Sequence, residues 1–151
     1  MEMCNCVGVS VRCGNDYVNN GWPICSKDFY LSGMRKIKER IDNCTFYTFS
    51  DDIDKVKEEK WFSEENVKYI DNLNVCESFD LLRNYRHFVC ANSSFSWWGA
   101  FLSYSDHAVV YEPNVFYNKK YADDNKRLLY SGLHILDYIS GEEYQKNLGN
   151  H

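Results

Sequence analysis

Three short polar clusters carry residue types able to hold a phosphorylated group or assist its transfer. Arg12 stands beside Gly14-Asn15-Asp16. Ser50-Asp51-Asp52 sets a hydroxyl next to two carboxylates, and Asn92-Ser93-Ser94 runs straight into Phe95-Ser96-Trp97-Trp98. A guanidinium next to the backbone N–H groups of a turn is a clamp for phosphate or diphosphate, and equally a surface arginine paired with Asp16. Ser93 and Ser94 at a helix start can simply cap orphan N–H groups, or with Arg12 complete a phosphate cradle. Asp51 and Asp52 read as a catalytic base, as metal ligands, or as a cap with a solvated neighbour. An acidic pair after a strand also matches the pocket of receiver domains, but the acceptor Asp and the late Lys of that pattern are not evident.

The elements that must position these clusters follow from periodicity. Val7–Arg12 reads as a strand ended by the Gly14-Asn15-Asp16 turn, and Thr45–Phe49 as an aromatic, β-branched strand. Val67–Ile70, Phe88–Ala91 and Ala108–Tyr111 continue the series. Between them, a helix capped by Asp28 runs to about Asp42 with Tyr30, Met34, Ile37 and Ile41 on one face. Ile53–Phe62 and Glu77–Tyr85 read as helices, the latter with Phe79, Leu82 and Tyr85 inward. The helix after Asn92 puts Phe95, Trp98 and Leu102 on a common face; of Trp97 and Trp98, one enters the core and the other lines the rim. Asp137–Leu148 is expected as a closing helix. Strands alternating with helices imply an α/β fold, a Rossmann-like parallel sheet covered on both faces. Ligands bind such sheets outside the carboxyl ends of the strands, so the three clusters should meet on one rim.

Composition narrows the partners. The 151 residues are 44% hydrophobic and 17% aromatic, as expected of one folded domain rather than a disordered chain. The net charge of −5 argues against broad nucleic-acid binding, which depends on neutralising many phosphates. No apolar run reaches the length of a bilayer span, and the N-terminus lacks the basic start of a secretion signal. Seven cysteines without a disulfide framework's spacing read as free thiols in a reducing cytosol; Cys4 and Cys6 lack the further ligands a metal would need. His87 precedes a buried strand and reads as structural, while His107, His134 and His151 carry no motif.

The strings SVRCGNDYV (Ser10–Val18), FYTFSDDI (Phe46–Ile53) and ANSSFSWWGAFL (Ala91–Leu102) resemble three motifs of the α-1,2-fucosyltransferases. Those are inverting, GDP-fucose-dependent enzymes with a GT-B type fold. The resemblance implies that Arg12 holds the GDP diphosphate, that Asp16-Tyr17 end the first motif, and that Ser50, Asp51 and Asp52 lie at the donor rim. It further implies that Asn92, Ser93, Ser94, Phe95, Ser96 and Trp97 help hold the diphosphate and fucose. Glu77 stands in the acidic position that contributes to guanine recognition in relatives; Ser78 replaces an Asp common there, for which Asp80 is a substitute one turn away. Ser10 and Cys13 replace the motif's histidine and second arginine, and Asn15 is inserted.

The implied reaction is transfer of L-fucose from GDP-fucose to O2 of a terminal galactose on a glycan acceptor. Asp16 and Asp51 are the candidate bases, and no metal is required because Arg12 and backbone amides neutralise the leaving group. The implied organisation is a single GDP-fucose-binding domain over 1–151, lacking an acceptor-side N-terminal region. The expected location is the cytoplasm, with membrane association through the glycan pathway. The alternative is a GDP-sugar binding module without turnover, which the replaced motif residues and the short length favour.

Overall fold

A computed structural model describes residues 5–63, 66–103, 105–117 and 133–144. Six parallel strands form one sheet: β1 (Cys6–Val11), β2 (Thr45–Ser50), β3 (Val67–Tyr69), β4 (His87–Cys90), β5 (Val110–Pro113) and β6 (Leu133–Leu136). Their order is β3-β2-β1-β4-β5-β6, the arrangement of a Rossmann-like doubly wound domain. The helices are α1 (Asn15–Asn19), α2 (Lys27–Lys38), α3 (Ile53–Glu58), α4 (Val75–Arg83) and α5 (Ser94–Phe101).

Strand alternation divides the core in two. Val7, Val9 and Val11 of β1 turn to one face, where Phe29, Tyr30, Met34 and Ile37 of α2 and Val56 of α3 cover them. The other face carries Phe49, Phe88, Cys90 and Val110 beneath Leu82 of α4 and Ala100 of α5. Two glycines permit the close approach there. A Cβ on Gly8 would lie 2.6 Å from Leu82 Cδ1, and one on Gly99 would lie 2.7 Å from Leu82 Cδ2.

Several elements depart from the sequence reading. Gly14 is the N-cap of the short helix α1 rather than part of a simple turn. Helix α2 is capped by Ser26, whose Oγ accepts from Phe29 N, and Asp28 lies inside its first turn; the helix ends at Lys38, although Ile41 still packs on the core. Helix α3 ends at Glu58, so Trp61 and Phe62 follow it in a turn. Helix α4 begins two residues before Glu77, because Asn74 and Glu77 form a reciprocal capping box. On α5 the buried residues are Ser96, Gly99 and Ala100, whereas Trp98 and Leu102 are exposed. At Gly99 the small residue faces inward because Leu82 leaves no room for a Cβ. The described part of the expected closing helix is not helical: Asp137–Ser140 is a turn after β6, and Leu136 pairs with Glu143 in an antiparallel bridge. Residues 145–148 of that expectation, and Cys4 and His151, lie outside the described residues.

One consequence of the topology positions the site. Strands β2, β1 and β4 are adjacent and parallel, with Val11 opposite Ser50 and Ser10 opposite Cys90. Their carboxyl ends therefore deliver Arg12, Ser50-Asp51-Asp52 and Asn92-Ser93-Ser94 to one edge. Strand connections reverse direction between β1 and β4, the switch point at which such sheets open a crevice.

Candidate functional site

Arg12 leaves the end of β1 with its guanidinium stacked 4.3 Å from the centroid of the Tyr17 ring. Its Nη2 lies 3.1 Å from Asp16 Oδ2, and its Nε lies 3.4 Å from Asp51 Oδ2. The two carboxylates differ in freedom: the Asp16 side chain is 63% exposed, the Asp51 side chain only 14%.

Asp51 is held by the backbone it organises. Cys13 N donates to Oδ1 and Gly14 N to Oδ2, each at 3.0 Å, so the carboxylate fastens the loop after β1 to the end of β2. A Cβ at Gly14 would stand 2.5 Å from Asp51 Oδ2, which is why glycine fits there. Asp52 performs the capping role: its Oδ1 accepts from Lys55 N at 3.2 Å, while its own N–H donates to Ser50 Oγ. Cys13 places its thiol 3.7 Å from Ser50 Oγ, and burial pushes that thiol up, favouring the neutral form.

The third cluster is tied to the first through Tyr17, whose hydroxyl donates to Asn92 O at 2.9 Å. Asn92 is buried and works as a fastener. Its Nδ2 donates to Pro23 O at 2.7 Å and Phe116 O at 3.3 Å, and its Oδ1 faces the Cys25 thiol. Ser96 Oγ is likewise buried against the carbonyls of Ala91 and Ser93. Ser93 is the N-cap of α5 but makes no side-chain cap bond, and Ser94 is exposed in the first turn. Trp97 is half-buried and stacks on Phe101 at 5.0 Å, and Trp98 is 47% exposed, so neither indole enters the core.

A cleft of about 420 Å³ opens along this rim. Ser10, Arg12, Ser50 and Asp51 line one part of it and Phe95 another. The remaining wall comes from the segment after β3, with Ile70, Asp71, Asn72, Leu73, Val75 and Ser78. Glu77 does not line it. Its carboxylate turns back to accept from Asn74 N at 2.9 Å, and Asp80 turns to Arg83 at 3.0 Å. The Asp71–Val75 wall was missed in the sequence although Asp71 follows a strand as directly as Ser50 and Arg12 do. A second cleft of about 550 Å³ lies over α2, lined by Lys27, Arg35, Lys38 and Trp61, and shares none of the rim residues.

His87 is structural, as read: it is buried, its Nδ1 accepts from Val109 N at 3.1 Å, and burial lowers its pKa. Among the described residues no group of three or more His, Cys, Asp or Glu is arranged to hold a metal ion, and no helix is long and apolar enough to cross a membrane.

A parallel sheet of this strand order, with a cleft at the carboxyl ends of β1, β2 and β3, places the described residues in the Rossmann-like class of α/β domains. A family model for glycosyl transferase family 11 matches residues 2–133, most of the chain. The chain belongs to that family. It is 35% identical over 124 residues to an alpha-1,2-colitosyltransferase of Escherichia coli, covering 77% of this chain and 42% of that protein. It is 30% identical over 143 residues to the O-antigen biosynthesis glycosyltransferase WbnK of Escherichia coli, covering 85% of this chain and 43% of that protein. The chain thus spans about two fifths of the length of these curated relatives. No solved structure matches it.

Proposed function

We propose that the chain is the donor-binding part of a galactoside α-1,2-fucosyltransferase, which moves L-fucose from GDP-fucose to O2 of a terminal galactose with inversion. The observation that carries this reading is the convergence of Arg12, Ser50, Asp51 and Phe95 of α5 on one cleft. The α-1,2 linkage named for the colitosyltransferase is the linkage proposed here, and the second relative's role in O-antigen synthesis fits a glycan acceptor.

In the proposed reaction the acceptor hydroxyl attacks the anomeric carbon as the bond to the diphosphate breaks, and the nucleoside diphosphate departs with the bonding electron pair. The Arg12 guanidinium and N–H groups at the start of α5 stabilise the charge developing on the leaving oxygen. Arg12 binds a diphosphate by releasing the exposed Asp16, while the Asp51 charge stays beside its Nε. The freed Asp16 is the better placed of the two candidate bases, because both oxygens of Asp51 are occupied by backbone N–H groups. Charge neutralisation by Arg12 and amides makes the reaction independent of a divalent metal, an expectation checked by assay in excess chelator.

A second reading, a GDP-sugar binding module without turnover, is favoured by Ser10 and Cys13, which stand where the resembled motif has a histidine and a second arginine. Release of GDP from GDP-fucose in the presence of lactose separates the two. Acceptor-dependent release supports the transferase; GDP binding without it supports the module.

A further inference from the structure

The cleft extends past its anion-binding end in a way that says what it selects. We infer that Asp71, braced by Asn72, is the specificity-determining residue for the nucleobase: its carboxylate accepts from a purine edge bearing two adjacent N–H donors, as guanine does. This inference rests on the proposed nucleotide-sugar reading of the same cleft.

Arg12 follows β1 and Asp71 closely follows β3, with β2 between them, and both line the cleft. Strands sit about 4.8 Å apart, so the two residues mark positions about 10 Å apart along the rim. A nucleoside diphosphate laid across that edge with its phosphates at Arg12 carries its base toward Asp71. The walls on the way suit a flat ring: Phe49, Ile70, Leu73, Val75 and Phe95 are all apolar.

The Asp71 carboxylate is preorganised. Asp71 Oδ2 accepts from Lys57 Nζ at 2.7 Å, and Oδ1 accepts from Asn72 Nδ2 at 2.9 Å. Asn72 adopts a left-handed φ of 60°, which asparagine tolerates better than most residues, and the bond to Asp71 braces the turn. Each carboxylate oxygen keeps a second lone pair, and the side chain is 44% exposed. The Lys57 hydrogen bond holds the Asp71 carboxyl below its usual range, so it stays an acceptor at neutral pH.

Glu77 and Asp80 are turned into their own helix, Asp51 into the loop after β1, and Asp16 toward Arg12. Asp71 is the remaining carboxylate among the cleft-lining residues. A carboxylate pairs with two neighbouring N–H groups on the guanine edge. Hypoxanthine offers one of those donors, and adenine sets a ring acceptor beside its amino group, which the carboxylate repels.

The test is calorimetric titration of the full chain with GDP, IDP and ADP, repeated for Asp71→Asn with thermal unfolding as a check on folding. The expected wild-type result is GDP bound about tenfold or more tightly than IDP or ADP, the difference of one charge-assisted hydrogen bond. In Asp71→Asn, GDP affinity falls by a similar factor while IDP affinity changes much less, so the preference collapses. An equal loss for GDP and IDP overturns the inference, because it assigns Asp71 to the ribose or to general electrostatics. Equal wild-type affinities for GDP and IDP overturn it without any variant, including when Asp71→Asn fails to fold. Absence of GDP binding to the wild-type chain defeats the nucleotide-sugar reading itself, a different outcome from the other two.

Discussion

The Nε of Arg12 stands 3.4 Å from Asp51 Oδ2, across the ends of two neighbouring strands. The same carboxylate takes the N–H groups of Cys13 and Gly14, so one side chain fastens the loop and sets its charge beside the guanidinium that the loop carries. The relationship makes Asp51 a positioning residue and Arg12 a preoriented cation, whose competing partner on the open side is Asp16. Preorientation of this kind lowers the ordering cost of anion binding.

Asp51→Asn removes the charge facing Arg12 and puts an amide N–H₂ against one of two backbone donors. The variant should lose about 1–3 kcal/mol of stability, the cost of leaving a buried donor unmatched. Denaturant unfolding measures it; an unchanged midpoint would show that the loop does not depend on this carboxylate.

Gly14→Ala tests the same clamp by volume. The backbone at Gly14 is extended, with φ −68° and ψ 160°, so no conformational strain enters. The added Cβ would meet Asp51 Oδ2 at 2.5 Å and force the carboxylate away. Overpacking of this kind costs about 1–3 kcal/mol. Thermal unfolding should show the loss, and GDP affinity should fall with it.

Asp16→Ala separates two roles. Removing the exposed partner of Arg12 takes away a competitor for the guanidinium, so GDP affinity should rise a few-fold. If Asp16 also serves as base, acceptor-dependent GDP release should drop by about 10²–10⁴-fold. Tighter GDP with unchanged release would remove Asp16 as the base and keep the competition.

Stability should fall as pH rises through neutrality because of Glu112. This β5 residue is 1% exposed, its Oε1 has no hydrogen-bond partner among the described residues, and burial raises its pKa from 4.5 to about 8. Between those two values the unfolded chain holds fewer protons at this group than the folded one. Its contribution is therefore complete below pH 4.5 and is lost progressively toward pH 8, at up to about 1.4 kcal/mol per pH unit. Chemical denaturation at pH 5 and pH 8 should show the loss in the wild type and a smaller one in Glu112→Gln. Parallel pH profiles for the two proteins would contradict the assignment.

The fold was legible where local pattern and tertiary demand agree. The β-branched and aromatic runs of β1, β2 and β4 announce buried strands, and polar residues at their ends announce the rim. β6 was hidden because Leu133–Leu136 is short and followed by Asp-Tyr-Ile-Ser, a pattern that helical periodicity imitates. The inward face of α5 was misread for a different reason. Periodicity places large apolar residues inward, but the Leu82 contact demands Gly99 there, and Trp98 stays outside. Residue type alone also could not separate Asp51 from Asp71. Both are acids near strand ends that line the cleft, and only the neighbouring groups show that Asp51 is held by backbone N–H groups and Asp71 by the side chains of Lys57 and Asn72.

The most direct measurement is titration of the folded chain with GDP, comparing wild type and Arg12→Ala by calorimetry. The account predicts saturable one-site binding, weakened in the variant by about 2 kcal/mol or roughly thirtyfold, with the circular dichroism spectrum retained. Equal GDP affinity in a folded Arg12→Ala protein would contradict it.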